Sequence, residues 1–255
     1  MQPSLKLFRI FGIDIKLHFT WWFVFFFLTW SLSTGFFPQF FPGYPTITYY
    51  CMGIVAAILL FVSVLLHELS HSLVAKAKNI PVESITLFFF GGVAGITKED
   101  LKPSSELQMA LAGPLFSLFL AGIFLLINKT IGNGIIAAIT FYLYQLNLIL
   151  AIFNLVPAFP LDGGRAFRAI LYAYYKDLKK ATKIASYGGK FFAGVMVLFG
   201  ILALIGGESS GLWFIFLGGF LYVIAKASYE QVIIRGALTN ISVTELMSKV
   251  ITVSP

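Results

Sequence analysis

Six apolar stretches, residues 19–37, 49–75, 107–127, 135–156, 191–206 and 212–225, dominate this chain of 255 residues. The hydrocarbon layer of a bilayer is roughly 30 Å thick, and about 20 apolar residues cross it as a helix. In that solvent every backbone N–H and C=O must find a partner within the protein, so stretches of this kind become helices. The expected fold is an all-α polytopic membrane protein: six transmembrane helices and a short membrane-associated β-hairpin, whose residues are given below. Composition agrees that lipid is the solvent, since 58% of residues are hydrophobic and only 11% are charged, where soluble domains carry about a quarter charged. The first stretch follows Lys6, Arg9 and Lys16 as a signal peptide would. It is too long for one and has no small-residue cleavage pattern, so it reads as a retained helix.

Charge sets the orientation. With six spans and a cytoplasmic N-terminus, 17 of the 18 Lys and Arg fall on the cytoplasmic side or at its boundary, all but Lys129. The positive-inside rule then puts both termini in the cytoplasm and the chain in the cell membrane. Basic loops beside spans suit an anionic leaflet and account for the net charge of +7. No nucleic-acid motif is present, and nucleic acid is not an expected partner. Cys51, the only cysteine, has no partner for an internal disulfide and reads as packing.

Within the second stretch stands His67-Glu68-Leu69-Ser70-His71, where two imidazoles and a carboxylate in a membrane span call for a function. Residues four apart share a helical face, so both histidines reach one ion. Imidazole nitrogen suits zinc, which in catalytic sites takes three protein ligands and keeps a position for water. Glu68 beside it is placed to take a proton from that water, the metalloprotease arrangement. Counted back from Lys76, the pair lies roughly 8 to 14 Å inside the cytoplasmic helix end at 1.5 Å per residue. A third ligand at this depth is sought in Asn154-Leu155-Val156-Pro157-Ala158-Phe159-Pro160-Leu161-Asp162-Gly163-Gly164. The two prolines end the fourth span and the glycines permit a sharp turn, leaving Asp162 on irregular backbone. Asp162 is the candidate; capping of a following helix over 165–175 is the other reading of the same residue.

The chain resembles the site-2 proteases, zinc metalloproteases that cut transmembrane segments of other proteins. His67 through His71 matches that family's H-E-x-x-H, and Asn154 through Gly164 matches its N-x-x-P-x-x-P-L-D-G-G form. The resemblance covers most of residues 1–225. It implies one zinc ion held by His67, His71 and Asp162, with Glu68 as general base and Asn154 positioning substrate or stabilising an oxyanion. It also implies a transmembrane protein substrate. A homodimer is a further partner expectation.

Residues 85–97, with Gly91-Gly92 at their centre, read as the hairpin. It either holds an extended substrate by strand addition or is an interfacial hairpin without substrate contact. Ala112-Gly113-Pro114 continues with Ser117 and Ala121 as a small-residue stripe whose expected role is close helix packing, with catalysis the lesser alternative; the Gly-Pro pair also resembles a motif of that family, which implies a part in shaping the cavity wall. Asn147 reads as an interhelical hydrogen bond, His18 as an interfacial anchor, and residues 176–183 as a basic membrane-surface helix. Residues 1–225 thus form the core, 226–240 a linker, and 241–255 resemble the opening of a cystathionine-beta-synthase (CBS) domain, here truncated. Any adenine nucleotide binding would belong to the missing remainder. Two rival functions, a zinc transporter and a catalytically silent relative, leave Glu68 without a task.

Overall fold

The computed structural model describes residues 4–88, 91–96 and 101–238. Among these, six helices are long and apolar enough to cross a membrane. The chain divides into two compact units, Met1–Val156 with Leu161–Ala166, and Pro157–Pro160 with Phe167–Pro255.

The first unit begins with β1 (Ser4–Ile10) and β2 (Ile13–His18), joined by a two-residue turn. Phe11 and Gly12 both take positive φ, 49° and 75°, the conformation of a tight hairpin turn and the reason for a glycine there. Ile13, Ile15 and Leu17 alternate with Asp14, Lys16 and His18, and only the first set is buried. A helix α1 (Thr20–Ser31) continues through a π-helical turn (Leu32–Phe36) into α2 (Phe37–Phe40). Pro45, in extended conformation, starts α3 (Thr46–Ala77). At 32 residues that helix is about 48 Å long.

After α3 come β3 (Val82–Phe88) and β4 (Gly91–Ile96), the expected hairpin. It is half of a four-stranded sheet in the order β1-β2-β3-β4, in which β2 and β3 are parallel. Parallel neighbours need a long crossover, and here the crossover is α1 through α3. The two N-terminal strands were not anticipated. The sheet buries Ile13, Ile15, Leu17, Val82, Ile85 and Leu87 against Leu69 and Ala75 of α3. Lys76, in the last turn of α3, donates to the carbonyl of Phe11 and ties the β1–β2 turn to that helix.

Helix α4 (Pro103–Ile131) has proline in its first turn, and Gly132 and Gly134, at φ 77° and 101°, turn the chain into α5 (Ile135–Leu155). A second core joins Met52 and Ala56 of α3 to Phe37, Ala138, Tyr142 and Leu143. Asn147, fully buried, donates to Ser63 Oγ at 3.2 Å, so α5 and α3 share the expected interhelical hydrogen bond. The unit closes with the first turn of α6 (Asp162–Tyr175).

In the second unit α7 (Leu178–Ile205) is capped by Asp177, whose carboxylate accepts from the amide of Lys180 at 3.0 Å. The basic residues 178–183 are therefore the first turns of a spanning helix rather than a separate surface helix. Helix α8 (Gly211–Leu238) runs through most of the stretch read as a linker. Residues 241–255, the CBS-like segment, lie outside the described residues.

Candidate metal centre

Three polar side chains converge inside the first unit. His67 and His71 lie a turn apart on α3, each 4% exposed. Their Nε2 atoms are 3.2 Å from each other, and 3.2 and 3.1 Å from Asp162 Oδ2. Asp162 is brought there by the start of α6. A Cβ on the next residue, Gly163, would stand 2.3 Å from the carbonyl oxygen of Leu155, so only glycine lets α6 begin this close to the end of α5. The other carboxylate oxygen, Oδ1, is 3.9 Å from Arg165 Nη1. Burial alone would raise the Asp162 carboxyl; the bonds to His67 and His71 and the charge of Arg165 outweigh it and hold the group well below the usual carboxylate range.

The spacing tests whether a metal fits. Three atoms about 3.2 Å apart lie on one face of a tetrahedron whose centre is about 2.0 Å from each, the zinc–nitrogen and zinc–oxygen distance. Two nitrogens and one carboxylate oxygen are also a common catalytic zinc set. The residues fit the ion.

The neighbours come from two other elements. On α4, Gly113 faces the histidines so closely that a Cβ would fall 2.2 Å from His71 Nε2 and 2.6 Å from His67 Nε2. Ser117 Oγ lies 2.9 Å from His67 Nδ1, and the Met109 carbonyl 2.6 Å from His71 Nδ1. On β4, a Cβ on Gly92 would lie 2.4 Å from Glu68 Cγ, so the terminal strand of the sheet rests on Glu68. The Asn154 amide donates to the Leu150 carbonyl of its own helix at 3.0 Å. Met109 has no place among the expected site residues, and Gly113 and Ser117 stand there chiefly as packing residues. The four-residue spacing of Gly113 and Ser117 was visible, but it reads equally well as helix packing, and a backbone carbonyl has no sequence signature at all.

Residues 55–133 and 125–198 match Peptidase family M50. Rip3 of Mycobacterium tuberculosis is 32% identical over 253 residues, covering 97% of this chain and 64% of that protein. A zinc metalloprotease of Methanocaldococcus jannaschii is 37% identical over 249 residues, covering 97% of this chain and 67% of the relative. The chain thus spans about two thirds of the length of these relatives. Among solved structures, the site-2 protease from Methanocaldococcus jannaschii superposes with a TM-score of 0.59 at 37% identity, over 88% of this chain and 94% of that one. On both the sequence match and the relatives' identity, the chain belongs to peptidase family M50.

Proposed function

We propose that this chain is the membrane core of a zinc-dependent endopeptidase that cuts peptide bonds within transmembrane segments of other proteins. The observation that carries the reading is the convergence of His67, His71 and Asp162 within 3.2 Å, with Glu68 directly following the first of them on α3. Those three residues would hold the ion. Zinc, when bound, supplies Lewis acidity that polarises a carbonyl and makes water nucleophilic at neutral pH.

The remaining work belongs to the chain. Glu68 takes the proton from the attacking water and later gives it to the amine nitrogen as the C–N bond breaks. A helical substrate hides its carbonyls in its own hydrogen bonds, so it must be extended before attack. The β4 strand, terminal in the sheet and packed on Glu68, offers an edge along which an extended segment can add. Asn154 is assigned substrate positioning on the strength of the family motif alone. Burial of the site in lipid requires water to enter from the nearer side, which the distribution of Lys and Arg makes the cytoplasm. Both termini then face the cytoplasm of a cell-membrane protein, with residues 1–225 as core. A homodimer belongs to the same proposal, as does nucleotide binding through a CBS module opening at 241–255, the latter resting on sequence resemblance.

Metal analysis coupled to digestion of single-span proteins tests the reading. Glu68→Gln should keep zinc and lose roughly 10²- to 10⁴-fold in cleavage, the usual contribution of a general base. Chelation should stop cleavage and zinc should restore it. Unimpaired turnover by Glu68→Gln would eliminate the base, and zinc flux into liposomes without any cleavage would favour transport.

A further inference from the structure

Met109, Gly113 and Ser117 recur every fourth residue on α4 and therefore share one face, and each meets the histidine pair. The Met109 carbonyl is an acceptor only, so the 2.6 Å bond requires His71 Nδ1 to carry the hydrogen. The lone pair of the neutral ring is then on Nε2, the atom turned toward Asp162. Ser117 differs, because its hydroxyl can either accept from Nδ1 or donate to it. Donation would put the hydrogen on His67 Nε2 and remove that atom as a ligand; acceptance leaves Nε2 free. Ser117 is 0% exposed and 2.9 Å from His67 Nδ1, so its bond is to this ring and not to solvent.

We infer that this face of α4 orients both histidines for the metal: the Met109 carbonyl fixes the tautomer of His71, and Ser117 is the positioning residue that accepts the N–H of His67 in the tautomer that leaves its Nε2 free. The inference rests on the zinc reading above. A fixed carbonyl governs His71, whereas a hydroxyl that rotates governs His67 and accepts its N–H when the ion is held. Gly113 supplies the close approach, since any larger residue would hold α4 away from both rings.

The test uses the full chain in detergent, loaded with Zn²⁺ or Co²⁺. Alanine at 117 keeps the helix and adds no volume, so Ser117→Ala is expected to fold. It should lose zinc to a competing chelator roughly 10- to 100-fold more readily than wild type, the range for outer ligand-orienting partners. The visible absorption of the Co²⁺ form should shift, while the zinc-free protein should keep its helix content and lose only the small stability of one buried hydrogen bond. Equal zinc retention and an identical Co²⁺ spectrum in Ser117→Ala would overturn the inference and leave the zinc reading standing. A loss of zinc matched by an equal loss of zinc-free stability would also overturn it, making Ser117 a packing residue. A wild type that binds no zinc would overturn both.

Discussion

Two helix pairs in this protein use glycine for the same close approach and to different ends. Between α7 and α8, a Cβ on Gly200 would stand 2.7 Å from the carbonyl oxygen of Gly211, one on Gly211 would stand 2.3 Å from that of Gly200, and one on Gly218 would stand 2.8 Å from that of Ala193. Backbone meets backbone, as in small-residue packing of membrane helices generally. Between α3 and α4 the glycine meets imidazole nitrogens instead, and the side chains that meet there, His67, His71 and Ser117, are buried and polar. A small residue in a membrane helix is thus a statement about distance. What it is close to decides whether it serves packing or chemistry.

Substitutions can break that comparison. The largest effect is expected from Gly113→Ala, whose methyl would occupy space beside both Nε2 atoms. Zinc affinity should fall by more than the roughly 100-fold seen at the top of the range for outer-shell changes, while helix content by circular dichroism is retained. Full zinc retention in Gly113→Ala would erase the difference between the two pairs. Gly200→Val should do the reverse. Overpacking should cost about 1–3 kcal/mol in unfolding measured in detergent, with zinc content unchanged. Smallest is Asn147→Ala, which removes the bond to Ser63 Oγ, one turn before His67. Hydrogen bonds of this kind between membrane helices contribute about 0.6 kcal/mol, so a loss near that size with zinc retained would mark Asn147 as a fastener. A loss of zinc in Asn147→Ala would extend the polar centre a full turn along α3.

The same contrast explains what could be read in advance. His67, Glu68 and His71 are local, and helical periodicity alone puts the two rings together. Asp162 was reached by elimination and motif, and its meeting with α3 depends on Gly163 fitting beneath Leu155. The β1–β2 hairpin falls where the sequence reads as a basic flank to the first span. Its signal was present, with Ile13, Ile15 and Leu17 alternating with polar residues beside Phe11-Gly12. The apolar run of α7 starts only at 191, after Lys190, whereas the helix begins at Leu178, where Asp177 caps it.

The amino-acid order by itself determined the helical spans and the histidine pair of the candidate metal centre, because long apolar runs in lipid have few alternatives and i, i+4 spacing is a property of one helix. Only the tertiary structure decided which carbonyl faces His71, which hydroxyl faces His67, and that the edge of a sheet begun at Ser4 lies on Glu68. Those contacts join residues far apart in the chain, and their partners are backbone atoms and small side chains whose identity is common and whose position is everything.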